Sequence, residues 1–233
     1  MSFHPENICI LGASGAIGNA LTSLLLTKYP KANLLAFSQN GSNPIDYSNE
    51  DSIAEAAEIA AKTQPIDLVF VANGMLHNGN IIPEKSLRDL SAEKFHHIFE
   101  VNAVIPALIG KYFIPKLSRT NPSIFAALSG RVGSISDNHL GGWYSYRASK
   151  AALNMIIKNA AIETARQNNH AIIVALHPGT VDSNLSKPFQ ANMDPGKIFT
   201  PQYSAQKLLT VIKNLAPRDS GKHFAWNGIE INP

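Results

Sequence analysis

The feature that most constrains this chain is an alternation running from end to end. Short apolar runs bounded by turn residues take turns with longer stretches whose apolar residues recur at helical spacing. Asn7–Leu11, Asn33–Phe37, Ile66–Ala72, Ser123–Leu128, Ala171–Leu176 and His223–Trp226 read as strands. Ala16–Tyr29 reads as a helix, with Ile17, Leu21, Leu24 and Leu25 on its apolar face and Pro30 ending it. Ser48, with Asp51 three residues on, reads as the cap of a second helix with Ile53, Ala56, Ala57 and Ala60 inward. Ser91 opens a third segment through Phe95, Ile98, Phe99 and Asn102, which Pro106 and Pro115 are expected to bend or interrupt. Tyr144–Arg166, with Ala148, Ala152, Met155, Ile156 and Asn159 on successive turns, and Ser204–Leu215 complete the helices. Strands apolar along their whole length are covered on both faces, so the pattern predicts a parallel sheet between helix layers. The expected fold is a single doubly wound α/β domain over residues 1–233. Asn184–Tyr203 lacks any period and is read as a lid-like substrate loop.

Composition narrows the classes. Hydrophobic residues make up 45% of the chain and charged residues 16%, which opposes a disordered, charge-rich protein. Twenty Lys+Arg stand against 17 Asp+Glu with no two basic residues adjacent, so no nucleic-acid partner is expected. The longest aliphatic runs are far too short to span a bilayer, and no membrane partner is expected. Met1–Glu6 carries no basic residue and does not read as a signal peptide. The lone cysteine, Cys9, cannot pair internally, which favours a reducing, cytoplasmic location.

Between the first strand and its helix stands Leu11-Gly12-Ala13-Ser14-Gly15-Ala16-Ile17-Gly18. Gly12 permits a tight turn, Gly15 lets backbone approach a pyrophosphate, and Gly18 lets helix and sheet pack closely; the helix N-terminus attracts the phosphate charge. This strand–turn–helix setting is that of the Rossmann dinucleotide site, although the glycines run G-x-x-G-x-x-G rather than G-x-G-x-x-G. The second strand ends Phe37-Ser38-Gln39-Asn40 with no carboxylate to bind a ribose 2′-hydroxyl and no arginine. NADP(H) is therefore weakly favoured over NAD(H), with Ser38 and Gln39 as donors to a 2′-phosphate.

Tyr-x-x-x-Lys puts a phenol and an ammonium one helical turn apart, where the cation lowers the phenol pKa and makes it a proton donor or acceptor for a carbonyl. The spacing occurs three times: Tyr112/Lys116, Tyr146/Lys150 and Tyr203/Lys207. Pro115 interrupts the first, and the third follows the irregular loop. The second opens a long helix after a glycine-rich loop, near the carboxyl ends of the strands where open α/β sheets bind ligands. His77 and the pair His96-His97 lack partners at metal-ligand spacing and read as surface or helix-edge residues, with no metal expected. His177 reads as lying near the cofactor or as packing, and Trp143 and Tyr144 as pocket wall or subunit contact. Phe189, Met193 and Phe199 hint at an apolar substrate pocket.

Together these residues resemble the short-chain dehydrogenase/reductase family over nearly the whole chain and in the family's order. The resemblance implies that Gly12, Ser14, Gly15, Ile17 and Gly18 hold the cofactor, and that Asp46 contacts adenine. Ala72-Asn73-Gly74 resembles the family's Asn-Asn-Ala-Gly stretch, with Asn73 where alanine is usual. Asn102 matches the asparagine that holds a water linked to the lysine, and Tyr146 and Lys150 match the catalytic pair, which also contacts the cofactor. Pro178-Gly179-Thr180-Val181-Asp182-Ser183 resembles the segment at the nicotinamide carboxamide, implicating Pro178, Gly179, Val181 and Ser183. Arg131–Ile135 with Gly141–Tyr146 is similar to the C-factor-like carbonyl reductase branch. The family's serine falls at Gly130; Ser129 is the first substitute, Ser134 the second, and a site completed by no serine is the remaining alternative. The implied activity is carbonyl/alcohol interconversion on a small molecule by an NAD(P)(H)-dependent homodimer or homotetramer. The rival is an NAD(P)-binding sensor with little turnover. A nucleotide-sugar epimerase, suggested by the glycine spacing, is opposed by the short stretch after Pro178.

Overall fold

A computed structural model describes residues 3–191 and 194–233. Met193 lies outside the described residues. The strands are β1 (Asn7–Leu11), β2 (Asn33–Ser38), β3 (Asn43–Pro44), β4 (Leu68–Val71), β5 (Ser123–Leu128), β6 (Ala171–His177), β7 (Thr180–Val181), β8 (Ile198–Phe199) and β9 (His223–Ala225). The α-helices are α1 (Ala16–Lys28), α2 (Glu50–Ala61), α3 (Ala92–Phe99), α4 (Ile105–Phe113), α5 (Tyr144–Ala165) and α6 (Pro201–Asn214). Seven strands form one parallel sheet in the order β3-β2-β1-β4-β5-β6-β9. The chain winds outward in one direction from β1 and in the other from β4, so the two leave a crevice between them at their carboxyl ends. That switch point is where such sheets bind ligands.

Burial follows the expected two-sided cover. Every residue of β1, β4 and β5 is buried. On one face Cys9, Leu11, Val69, Val71, Phe125 and Ala127 meet α2, α4 and α5; on the other Ile8, Ile10, Leu68, Phe70 and Ala126 meet α1 and α6. Alternate residues of one strand thus enter opposite cores, as the pleat requires.

Several local expectations need correction. The cap of α2 is Asn49, whose side chain accepts the Asp51 N–H at 3.0 Å. Ser48 is spent otherwise: its N–H and hydroxyl both bind the Asp46 carboxylate. Pro106 interrupts the third helical segment without ending it. Ser91 caps α3, a π turn at Glu100–Val104 follows, and α4 continues with Pro106 in its first turn. Proline has no N–H for the carbonyl four residues back, and widening the turn accommodates that gap. The resulting helical run, Ala92–Lys116, is long and apolar enough to cross a membrane by length and composition, contrary to the count of unbroken aliphatic runs. Its Ile98, Ile105, Ile109 and Phe113 are buried within this fold. The inward face of α5 is Ser145, Ser149, Lys150, Leu153, Ile157 and Ala161, while Met155 and Asn159 are exposed. The 184–203 segment is not featureless: β8 pairs with β7, short 3-10 turns lie between them, and α6 begins at Pro201.

Candidate active site

At the switch point lies a cleft of about 850 Å³, lined from the ends of β1, β4, β5 and β6 and from the start of α5. The glycine turn forms its floor. Gly12 has φ +77°, and a Cβ on Gly18 would stand 2.3 Å from the Gly12 carbonyl oxygen, so both positions need glycine. Ser14, Gly15 and Ile17 face the cleft. The α1 N-terminus carries no side-chain cap and no acidic residue in its first turn, which leaves N–H groups for an anion. Among the described lining residues the formal charges are Arg131 and Lys150, with no carboxylate. This floor suits an anionic dinucleotide.

Tyr47, which the sequence did not single out, fixes the turn from behind: its buried hydroxyl accepts the Gly12 N–H at 2.7 Å. Asn73 lines the cleft with a buried, unpartnered Oδ1. Ser38 is buried under Gly41, leaving Gln39 and Asn40 as the exposed side chains at the end of β2. Asp46 stands outside the cleft with its carboxylate held by Ser48, which keeps its pKa low.

Tyr146, Lys150 and Ser129 line the same wall. Lys150 is buried and its Nζ donates to the Leu128 carbonyl at 3.0 Å. A Cβ on Gly74 would lie 3.4 Å from that Nζ and 3.5 Å from Asn102 Oδ1, so the lysine and the asparagine flank one glycine. Gly133 allows this packing, because a Cβ there would meet the α5 backbone at 2.7 Å. The Asn102 side chain is fully used: Oδ1 accepts the Met75 N–H, and Nδ2 donates to the Met75 carbonyl and to Ser149 Oγ. The Asn102 backbone carbonyl lies four residues before Pro106, so the usual helical donor to it is missing.

The expected lowering of the Tyr146 pKa by Lys150 is not what this geometry produces. Burial pushes Tyr146 up to about 12 and Lys150 down to about 8. The lysine nitrogen is 5.9 Å from the centre of the tyrosine ring and bonded to a carbonyl, so desolvation outweighs attraction.

Ser129 is buried, and its hydroxyl donates to Asn154 Oδ1 at 2.7 Å, one turn beyond Lys150 on α5. Ser134 is not among the lining residues; its Oγ accepts the Asp137 N–H and faces Ser136. Pro178, Gly179, Val181 and Ser183 line the far wall, with Gly179 at φ +80° against the Phe199 ring. Of the loop aromatics, Phe189 lines the cleft, whereas Phe199 packs on Trp226 and Tyr203. His77 is partly exposed and lines the cleft, where it bonds the Asn184 carbonyl at 3.0 Å and meets the Phe189 ring edge-on. His177 also lines the cleft, with its pKa pushed down to about 4 by burial and by Arg131, so its ring is neutral near pH 7. Trp143 completes the wall against Phe189 and Tyr146, from a left-handed backbone at φ +50°. That conformation costs a non-glycine residue about 1–3 kcal/mol.

The short chain dehydrogenase family model matches residues 42–194. A 1-hydroxy-2-glutathionyl-2-methyl-3-butene dehydrogenase of Rhodococcus sp. (strain AD45) is 30% identical over 181 residues, 76% of this chain and 74% of the relative. The C-signal protein of Myxococcus xanthus is 30% identical over 146 residues, 63% of this chain and 82% of its own. The NADPH-bound carbonyl reductase from chicken fatty liver superposes with a TM-score of 0.80 at 23% identity, over 98% of this chain and 99% of that one. This chain belongs to the short-chain dehydrogenase family. It is an NAD(P)-dependent oxidoreductase that interconverts a carbonyl and an alcohol.

Proposed function

We propose that this protein is an NADP(H)-preferring reductase of a small carbonyl compound, with Tyr146 as the proton donor. One observation carries the reading: Tyr146, Lys150 and Asn102 are brought together from two helices beside a glycine-floored, carboxylate-free cleft at the switch point of the sheet. Gly12, Ser14, Gly15, Ile17 and Gly18 would hold the dinucleotide phosphates, and Asn73, Gly74, Pro178, Gly179, Val181 and Ser183 its nicotinamide half. Asp46 would stand at the adenine and the Ser38–Asn40 turn at the 2′ position. The NADPH-bound chicken enzyme supports the cofactor preference. A nicotinamide held in this cleft would supply a hydride to the substrate carbonyl carbon. Tyr146 donates its hydroxyl proton to the oxygen as charge grows there, and the Lys150 ammonium stabilises the phenolate left behind. The Asn102 carbonyl anchors the water that returns a proton through Lys150. Ser129 orients the carbonyl oxygen by turning its one hydroxyl proton from Asn154 Oδ1 toward the substrate.

Two predictions follow from these roles. Ser129→Ala is expected to lower kcat/KM about 10²-fold, as loss of an oxyanion donor does, whereas Ser134→Ala stays within about twofold. Equal rates for Ser129→Ala and the parent would remove the serine from the mechanism. With Lys150 at about 8, the charged form that the phenolate needs is present below that pH and lost above it. The kcat/KM for reduction is expected to be level from about pH 6 to 7 and to fall about tenfold per unit above 8. A pH–rate profile flat to pH 10 would contradict it.

A second reading, a dinucleotide-binding sensor without turnover, is favoured by Gly130 at the serine position and by the C-signal likeness. Titration with NADPH and with NADH, followed by addition of aldehydes, ketones and quinones, separates the two. Binding with oxidation supports the reductase; binding without turnover across the panel supports the sensor. The reading also places the protein in the cytoplasm, where the thiol of buried Cys9 stays reduced, as one domain assembled into a homodimer or homotetramer. Exposed Val104 in the π turn and exposed Met155 and Ile162 on α5 support a contact with a second copy. Nucleic acid and membrane are not proposed as partners.

A further inference from the structure

Glu84 lies in the loop between β4 and α3 and is 1% exposed, yet the mechanism above does not use it. Its carboxyl Oε2 accepts the Ser145 N–H at 3.2 Å, and Oε1 is buried with no partner. Its backbone carbonyl accepts the Trp143 N–H. Both bonds therefore close on the first turn of α5, the turn that carries Tyr146.

That turn has no cap of its own. Its N-cap residue, Trp143, offers no side-chain acceptor, and the first turn holds no acidic residue. The chain enters it through three consecutive left-handed residues, Gly141, Gly142 and Trp143. A helix start needs acceptors for its first N–H groups, and a negative group there is favoured by the helix dipole. Glu84 supplies the acceptor from a remote loop. The same loop brings Met75, Leu76 and His77 to the cleft, so the contact ties two walls of the pocket together.

We propose that Glu84 is a positioning residue for catalysis: a buried acid that caps α5 from the loop after β4 and so fixes where Trp143 and Tyr146 stand in the cleft. This deepens the reductase reading and rests on it for its kinetic arm only. A misplacement of about 1 Å at a reacting group costs about 10²-fold in rate.

The test compares Glu84→Ala, Glu84→Gln and Glu84→Asp with the parent, using NADPH and a carbonyl compound the parent reduces. Glu84→Ala is expected to lose about 10- to 100-fold in kcat while its NADPH Kd stays within about twofold, a split that a general loss of folding would not give. Glu84→Gln keeps an acceptor oxygen and is expected within about threefold of the parent. Glu84→Asp, which shortens the reach, covers the case in which the alanine variant does not fold and is expected to lose about tenfold. Parental kcat in Glu84→Ala or Glu84→Asp overturns the proposal, as does a glutamine variant as slow as the alanine one. If the parent turns over nothing, the reductase reading fails, and amide hydrogen exchange decides this proposal by itself. Exchange at Ser145 that speeds up at least about tenfold in Glu84→Ala but not in Glu84→Gln supports the cap; unchanged exchange overturns it.

Discussion

Tyr146→Phe is expected to bind NADPH with a Kd within about twofold of the parent and to lose about 10²- to 10⁴-fold in kcat, the span that positioned acid–base groups contribute. The substitution deletes one oxygen from a ring that packs edge-on against Trp143, so the cleft keeps its shape. Burial that holds the phenol near 12 makes it a proton-holding group throughout the working range, which suits the reductive direction. The reverse, alcohol-oxidising rate needs the phenolate, which the same burial disfavours. Cofactor fluorescence titration and steady-state rates measure both halves. Turnover retained in the phenylalanine variant would take Tyr146 out of the proton step.

Gly18→Ala is expected to abolish high-affinity dinucleotide binding and to destabilise the fold by about 1–3 kcal/mol, the usual cost of overpacking. The added Cβ would stand 2.3 Å from the Gly12 carbonyl oxygen and 3.0 Å from Ala13 Cα, and both obstacles are backbone. Relief requires α1 to move off the turn, which spoils the N–H array beneath the phosphates. Gly79→Ala is the control, since nothing lies within 4 Å of its added Cβ. Isothermal titration with NADPH and thermal unfolding would read the two effects. Near-parental affinity in Gly18→Ala would show that the turn tolerates the shift.

The order of strands and helices was legible because burial on both faces leaves a continuous apolar mark, and the sheet followed from it. The tyrosine–lysine pair was legible because a helix turns a spacing into proximity. Less legible were features set by contacts distant in sequence. Asn49 displaced Ser48 as a cap because Asp46 had already engaged the serine, and no periodicity encodes that competition. His77 reached the cleft through Asn184 and Phe189, more than a hundred residues away. Glu84 and Tyr47 carried no local motif; their partners, Ser145 and Gly12, appear only once the loops are folded. The direction of the Tyr146 shift was missed for a related reason: spacing reports adjacency, whereas desolvation depends on everything packed around the pair.

The chain has two tryptophans, and the segment from β7 to α6 rests an aromatic ring on each: Phe189 on Trp143, Phe199 on Trp226. One indole borders the cleft and the other sits at the root of the segment. The molecule therefore carries an internal optical reference. Selective quenching or a spectral shift of one emitter against the other distinguishes occupancy of the cleft from loosening at the root, with no label attached.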